Sequence, residues 1–151
     1  MASHDVPEFL LHTEVLDSGC EVHIADETDF PGYEIKPTED RRSRIGFRAD
    51  DGKVIPDKGG AIPQFQVGGG NGQMHSVSST FQAAKVSKPL RSVSMICDAG
   101  FDVLFTKTEA RVRDPQSGGH VICTYPRAGG LYKGEMRLRT PLHPSFRRQG
   151  Q

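Results

Sequence analysis

The residues best suited to chemistry are Val15-Leu16-Asp17-Ser18-Gly19-Cys20, an aspartate that follows two apolar strand formers and precedes a small hydroxyl residue and a glycine. Each residue type in that order has a task. The apolar pair buries the approach to the loop, glycine lets the backbone turn close to the carboxylate, and the serine hydroxyl can hold a matching loop. Taken alone, Asp-Ser-Gly reads most simply as a turn with an Asx-type hydrogen bond. Paired carboxylates are another matter, because two of them about 3 Å apart cannot both ionise and must share a proton. The ionised member then takes a proton from water while the protonated one polarises a carbonyl.

Only one Asp-Ser-Gly occurs in the chain, and the nearest second candidate, Asp98 in Ile96-Cys97-Asp98-Ala99-Gly100, lacks the hydroxyl and reads as a helix end. A symmetric homodimer, each copy giving Asp17, is the natural way to assemble a pair. Competing chemistries fit less well. Cys20 and His23 are spaced like a metal pair, but on a strand that spacing puts them on opposite faces. A Cys20 nucleophile could meet His23, His75 or His120 in a fold, yet nothing marks any of them as its partner. Gly68-Gly69-Gly70-Asn71-Gly72 lacks the Gly-Lys-Ser/Thr of a phosphate cradle and reads as a turn. No metal and no organic cofactor is expected.

The surrounding elements look like short strands. Phe9 to Ile24 reads as strand, tight loop, strand; residues 26–44, with two prolines and many charges, suit a surface connection anchored by Phe30, Tyr33 and Ile35. Extended pieces between Arg44 and Val67 are separated by Asp50-Asp51-Gly52 and Asp57-Lys58-Gly59-Gly60, which suit hairpin turns. Met74 to Ala84 is rich in alternating residues. From Lys88-Pro89 to Gly100 the pattern predicts the one helix, with Leu90, Val93, Ile96 and Cys97 on one face. Strands are then expected at 101–105, 109–114, 120–125 and 131–138, and a frayed tail from Pro141.

Composition agrees with many strands joined by turns: 35% hydrophobic and 25% charged residues with 17 Gly and 10 Pro in 151 residues, a size suited to one domain. Lys+Arg and Asp+Glu are both 19, so net charge gives no electrostatic case for nucleic acid or membrane as the main partner. Short basic runs at Arg41-Arg42-Ser43-Arg44 and Phe146-Arg147-Arg148 read as solvated loops. Three cysteines form an odd set without C-x-x-C spacing, which suggests reduced thiols in an intracellular, cytoplasmic setting. No apolar run reaches the roughly 18 residues that span a bilayer, and the first residues lack a secretory pattern.

Val15-Leu16-Asp17-Ser18-Gly19-Cys20-Glu21-Val22-His23-Ile24 is similar to the Leu-Asp-Ser-Gly-Ala-x-x-His-Met pattern in the protease segment of copia-type retrotransposon polyproteins. Ala49-Asp50-Asp51-Gly52 resembles that family's Ala-Asp-Gly turn, and Pro89-Leu90-Arg91-Ser92-Val93-Ser94-Met95 through Phe105 resembles its Asn-Leu-Leu-Ser-Val-Ser segment with the strand after it. Arg113 to Gly119 and Gly130-Leu131-Tyr132 fit its downstream strands, in the same order. Cys20 stands where the family has alanine, Arg91 where it has an apolar residue, and Pro89 where it has asparagine.

The resemblance implies an all-β, retropepsin-like (acid protease) closed barrel with one short helix, active as a symmetric homodimer that cleaves extended polypeptide. Asp17 would be catalytic, Ser18, Gly19 and Cys20 would complete the active-site loop, and a flap would come from the hairpins between Phe47 and Val67. The expected organisation is a flexible segment over residues 1–8, the retropepsin-like domain over 9–138, and a flexible tail over 139–151. Two other readings stand beside it. One is a catalytically inactive retropepsin-like module that keeps the fold and dimer surface for binding; the other is an unrelated β-rich binding domain in which Asp-Ser-Gly is a turn.

Overall fold

A computed structural model of the chain describes residues 6–37, 47–48, 54–55, 59–68 and 72–147. The turns expected at Asp50-Asp51-Gly52 and around Gly70, and the basic run at 41–44, lie outside the described residues. The architecture is all-β with one short helix among the described residues. In chain order come β1 (Phe9–Asp17), β2 (His23–Ala25), β3 (Phe47–Arg48), β4 (Val54–Ile55), β5 (Gly60–Ala61), β6 (Gln64–Gly68), β7 (Met74–Ser78), β8 (Phe81–Ala83) and β9 (Leu90–Ser92). Helix α1 (Val93–Asp98) follows, and then β10 (Asp102–Phe105), β11 (Glu109–Asp114), β12 (His120–Ala128) and β13 (Leu131–Arg139).

Eleven strands form one sheet in the order β10-β11-β12-β13-β1-β9-β2-β8-β5, with β6 joined to β13 and β7 joined to β6. The expected closed barrel is not formed among the described residues. The reason lies in β13, which takes β1 along one edge and divides the other edge between two partners. Arg127 and Ala128 of β12 pair with Tyr132 and Leu131, whereas Phe65 and Gln66 of β6 pair with Leu138 and Arg137. A strand that changes partners along its length branches the sheet, and β10, β5 and β7 remain as edges.

β9 lies between β1 and β2, parallel to the first and antiparallel to the second. The helix expected from Lys88-Pro89 therefore starts a turn later. Proline disfavours helical geometry at Lys88, the Pro89 carbonyl accepts from Val15 N at 3.0 Å, and Leu90 to Ser92 are drawn into the ladder beside Val15 to Asp17. Ser92 then caps the helix by accepting from Met95 N, and Gly100 follows it at a φ of 99°, where the C-terminal stop was expected.

β3 and β4 make a two-stranded ribbon of their own, Phe47 opposite Ile55 and Arg48 opposite Val54. The stretch 59–67, also read as flap, belongs to the body: Ala61, Phe65 and Val67 are buried in the core with Phe30, Phe81, Tyr125 and Leu138. The segment expected as a flexible tail is held over its described part, since Thr140 N donates to Glu8 O at 3.0 Å and the Phe146 ring packs against Tyr33 at 5.7 Å. No helix among the described residues is long and apolar enough to cross a membrane.

Candidate active-site loop and its buried support

Strand β1 sends alternate side chains inward, and its inward set is unusual: His12, Glu14 and Leu16. Glu14 is 1% exposed, a position where an unpaired carboxylate would be prohibitive. It is ionised and fully engaged. Arg91 Nε and Nη2 donate to its two oxygens at 2.6 and 2.9 Å, Tyr125 Oη donates to Oε2 at 2.6 Å, and His12 Nε2 lies 2.9 Å from Oε1. Because an ionised carboxylate can only accept, His12 carries its proton on Nε2. Burial alone would raise the Glu14 pKa, but the Arg91 charge and the His12 and Arg91 hydrogen bonds hold it well below the usual carboxylate range. The Arg91 guanidinium sits 4.9 Å from the centre of the Phe81 ring and 5.2 Å from that of Phe65.

Gly134 makes this cluster sterically possible. It lies directly across from Glu14 on β13, and a Cβ there would fall 2.5 Å from Cδ2 of Tyr125. Without that side chain the tyrosine lies flat over the strand and reaches the carboxylate.

β1 ends in Asp17, which is half-buried, while Ser18 and Gly19 are exposed. Asp17 Oδ1 accepts from Gly19 N at 2.8 Å, and a Cβ on Gly19 would meet that oxygen at 3.3 Å. Oδ2 and the Ser18 hydroxyl have no hydrogen bond from the described residues. Ser92, which is fully buried, lies beside Asp17 in the β1–β9 ladder and also holds the chain beyond Gly19. Its hydroxyl donates to Cys20 O at 2.6 Å, and its amide donates to His23 Nδ1 at 2.9 Å. The Asp17 loop is thus pinned from beneath, with its polar tip free.

The loop lines a cleft of about 960 Å³ whose floor is Val15, Leu16, Ile24 and Leu90. Lys85, Val86, Ser87 and Lys88 line it as well, together with Phe105, Gly130, Leu131 and Tyr132. Asp17 is the only carboxylate among the described residues that line it. Asp98 is the last residue of α1 and lines a different recess with Glu21 and Gln82, so the chain does not bring the two aspartates into one cleft.

The thiol alternative fits the surroundings poorly. Burial, then the neighbouring Asp17 charge, pushes Cys20 up to about 11, and burial, then Arg91, pushes His23 down to about 3. Both groups stay neutral near pH 7, and His23 Nδ1 is already taken by Ser92. His75 and His120 pack ring against ring at 5.6 Å. Among the described residues no three His, Cys, Asp or Glu side chains gather as a metal site.

Reading the sequence missed Glu14, Tyr125 and Gly134 as a unit, and it counted Arg91 only as a departure from a pattern. One signal was present: His12-x-Glu14-x-Leu16 puts polar residues in the inward phase of an otherwise apolar strand. No protein-family model matches the chain, and no curated protein or solved structure matches it either.

Proposed function

We propose that the chain is a retropepsin-type aspartic endopeptidase, of the kind found in copia-type retroelement polyproteins, acting as a homodimer on extended polypeptide. The observation that carries this reading is the cleft around Asp17. A pinned Asp-Ser-Gly loop presents a carboxylate oxygen free of described protein partners, next to apolar walls and with no second carboxylate among the described residues that line the cleft. A second copy related by a two-fold axis would supply it, loop against loop, with the exposed Ser18 hydroxyls available to join them.

In such a pair one Asp17 is ionised and the other protonated. The ionised carboxylate takes a proton from a water molecule as the water oxygen bonds to the scissile carbonyl carbon. The protonated carboxyl donates its proton to the carbonyl oxygen, giving a neutral tetrahedral diol. In the collapse the carboxyl that took the water proton gives it to the leaving nitrogen as the C–N bond breaks, while a diol hydroxyl gives its proton to the other, ionised carboxylate as the new C=O forms, which restores one shared proton. The peptide would lie extended in the cleft, with backbone hydrogen bonds for affinity and side-chain contacts for selectivity. The β3–β4 ribbon, separate from the main sheet, is the natural candidate for a flap.

The test is cleavage of a peptide library between about pH 4 and 7 by the wild type and by Asp17→Asn, at concentrations that populate dimers. Cleavage that disappears in Asp17→Asn supports the reading. Absence of cleavage by a folded, dimeric wild type contradicts it and favours a binding module with the same fold.

A further inference from the structure

The cleft that holds Asp17 carries an uneven charge. Lys85 and Lys88 line it and are exposed, and neither forms an ion pair or hydrogen bond with a described residue. Two lysines and one aspartate therefore line the cleft, although the chain as a whole is neutral. Their backbone is not loose: Ala84 N donates to Ala25 O at 2.9 Å and Pro89 O accepts from Val15 N at 3.0 Å, so residues 85–88 are anchored to β2 at one end and β1 at the other.

The same cleft has an apolar shelf. Phe105 is 41% and Leu131 38% exposed, so both present apolar surface at the cleft. The shelf is fixed in place, since the Phe105 ring packs edge-on against Tyr132 at 5.0 Å and Tyr132 Oη donates to Thr106 O at 2.7 Å.

We infer that Lys85 and Lys88, set beside the Phe105–Leu131–Tyr132 shelf, select polypeptide segments in which an acidic residue accompanies a large apolar one near the scissile bond. The inference rests on the peptidase reading for its cleavage consequence, but the recognition itself needs only the cleft. An aspartate or glutamate brings the charge the cleft lacks, and an aromatic or branched aliphatic side chain covers the shelf. Lysine- or arginine-rich segments would meet two like charges and be rejected.

Matched peptide sets differing only in Glu or Lys around one apolar residue separate the two layers. For the wild type the kcat/KM ratio of acidic to basic peptides is expected to be at least about tenfold, falling with added salt, and to invert in Lys85→Glu/Lys88→Glu. An unchanged ratio in a variant that still cleaves overturns the inference and leaves the peptidase reading standing. Fluorescence anisotropy of the same peptides on Asp17→Asn and on Asp17→Asn/Lys85→Glu/Lys88→Glu needs no catalysis. Preferential acidic binding that reverses with the lysines upholds the inference even where nothing is cleaved. Equal binding of acidic and basic peptides, or binding of neither, overturns it.

Discussion

At the scale of single residues, the decisive arrangement is the ionised Glu14, on the inward face of the strand that ends in Asp17, held by Arg91, Tyr125 and His12. A buried ion pair is not a strong source of net stability, but removing one partner leaves the other charged and dry. Arg91→Met is accordingly expected to destabilise the fold by about 3–5 kcal/mol in urea unfolding. Glu14→Gln combined with Arg91→Met should cost less than Arg91→Met alone, because no bare charge remains. Arg91 stood out in the sequence only as a departure from the resembling family, and Glu14, which breaks the apolar phase of β1, was missed. Their pairing was not legible, because it depends on β9 lying parallel to β1 across a separation of 77 residues.

At the scale of elements, β1 and β13 form the longest ladder, and its one missing side chain, Gly134, is where Tyr125 crosses. Gly134→Ala is expected to cost about 1–3 kcal/mol, since a methyl at 2.5 Å from the ring must displace either the tyrosine or the strand. Gly130→Ala, with nothing within 4 Å of its added methyl, should change stability by less than about 0.5 kcal/mol. Strand positions were readable where alternation and turn residues coincide, as in 101–105, 109–114 and 131–138. The Asp17 loop was readable from three adjacent residues. The start of α1 was not, because a three-residue strand carries no periodicity of its own and Leu90 suits either element. The Phe105 and Tyr132 wall was also hidden, since two residues 27 positions apart become neighbours only through the β10–β13 meander.

At the scale of the whole molecule, the buried network sets an acid limit on the fold. His23 is neutral in the native state and titrates only near 3, whereas in the unfolded chain it takes a proton near 6.5. Between those values the unfolded state binds more protons, so stability is full above about pH 6.5 and declines as pH falls toward 3. Glu14, held ionised in the fold, adds a second loss that begins as pH drops below about 4.5. Urea midpoints should therefore hold from pH 8 to about 6.5 and fall from there down to pH 4, and His23→Gln, which keeps an acceptor for Ser92 N, should flatten the upper part of that slope. The central claim is that both copies must supply Asp17 to one site, and mixing tests it most directly: wild type and Asp17→Asn are unfolded together, refolded at equal amounts, and assayed at fixed total protein. Paired carboxylates predict about one quarter of the wild-type activity, because only dimers of two wild-type chains carry both aspartates. About one half would mean that each chain acts through its own Asp17 alone, and would contradict the shared site.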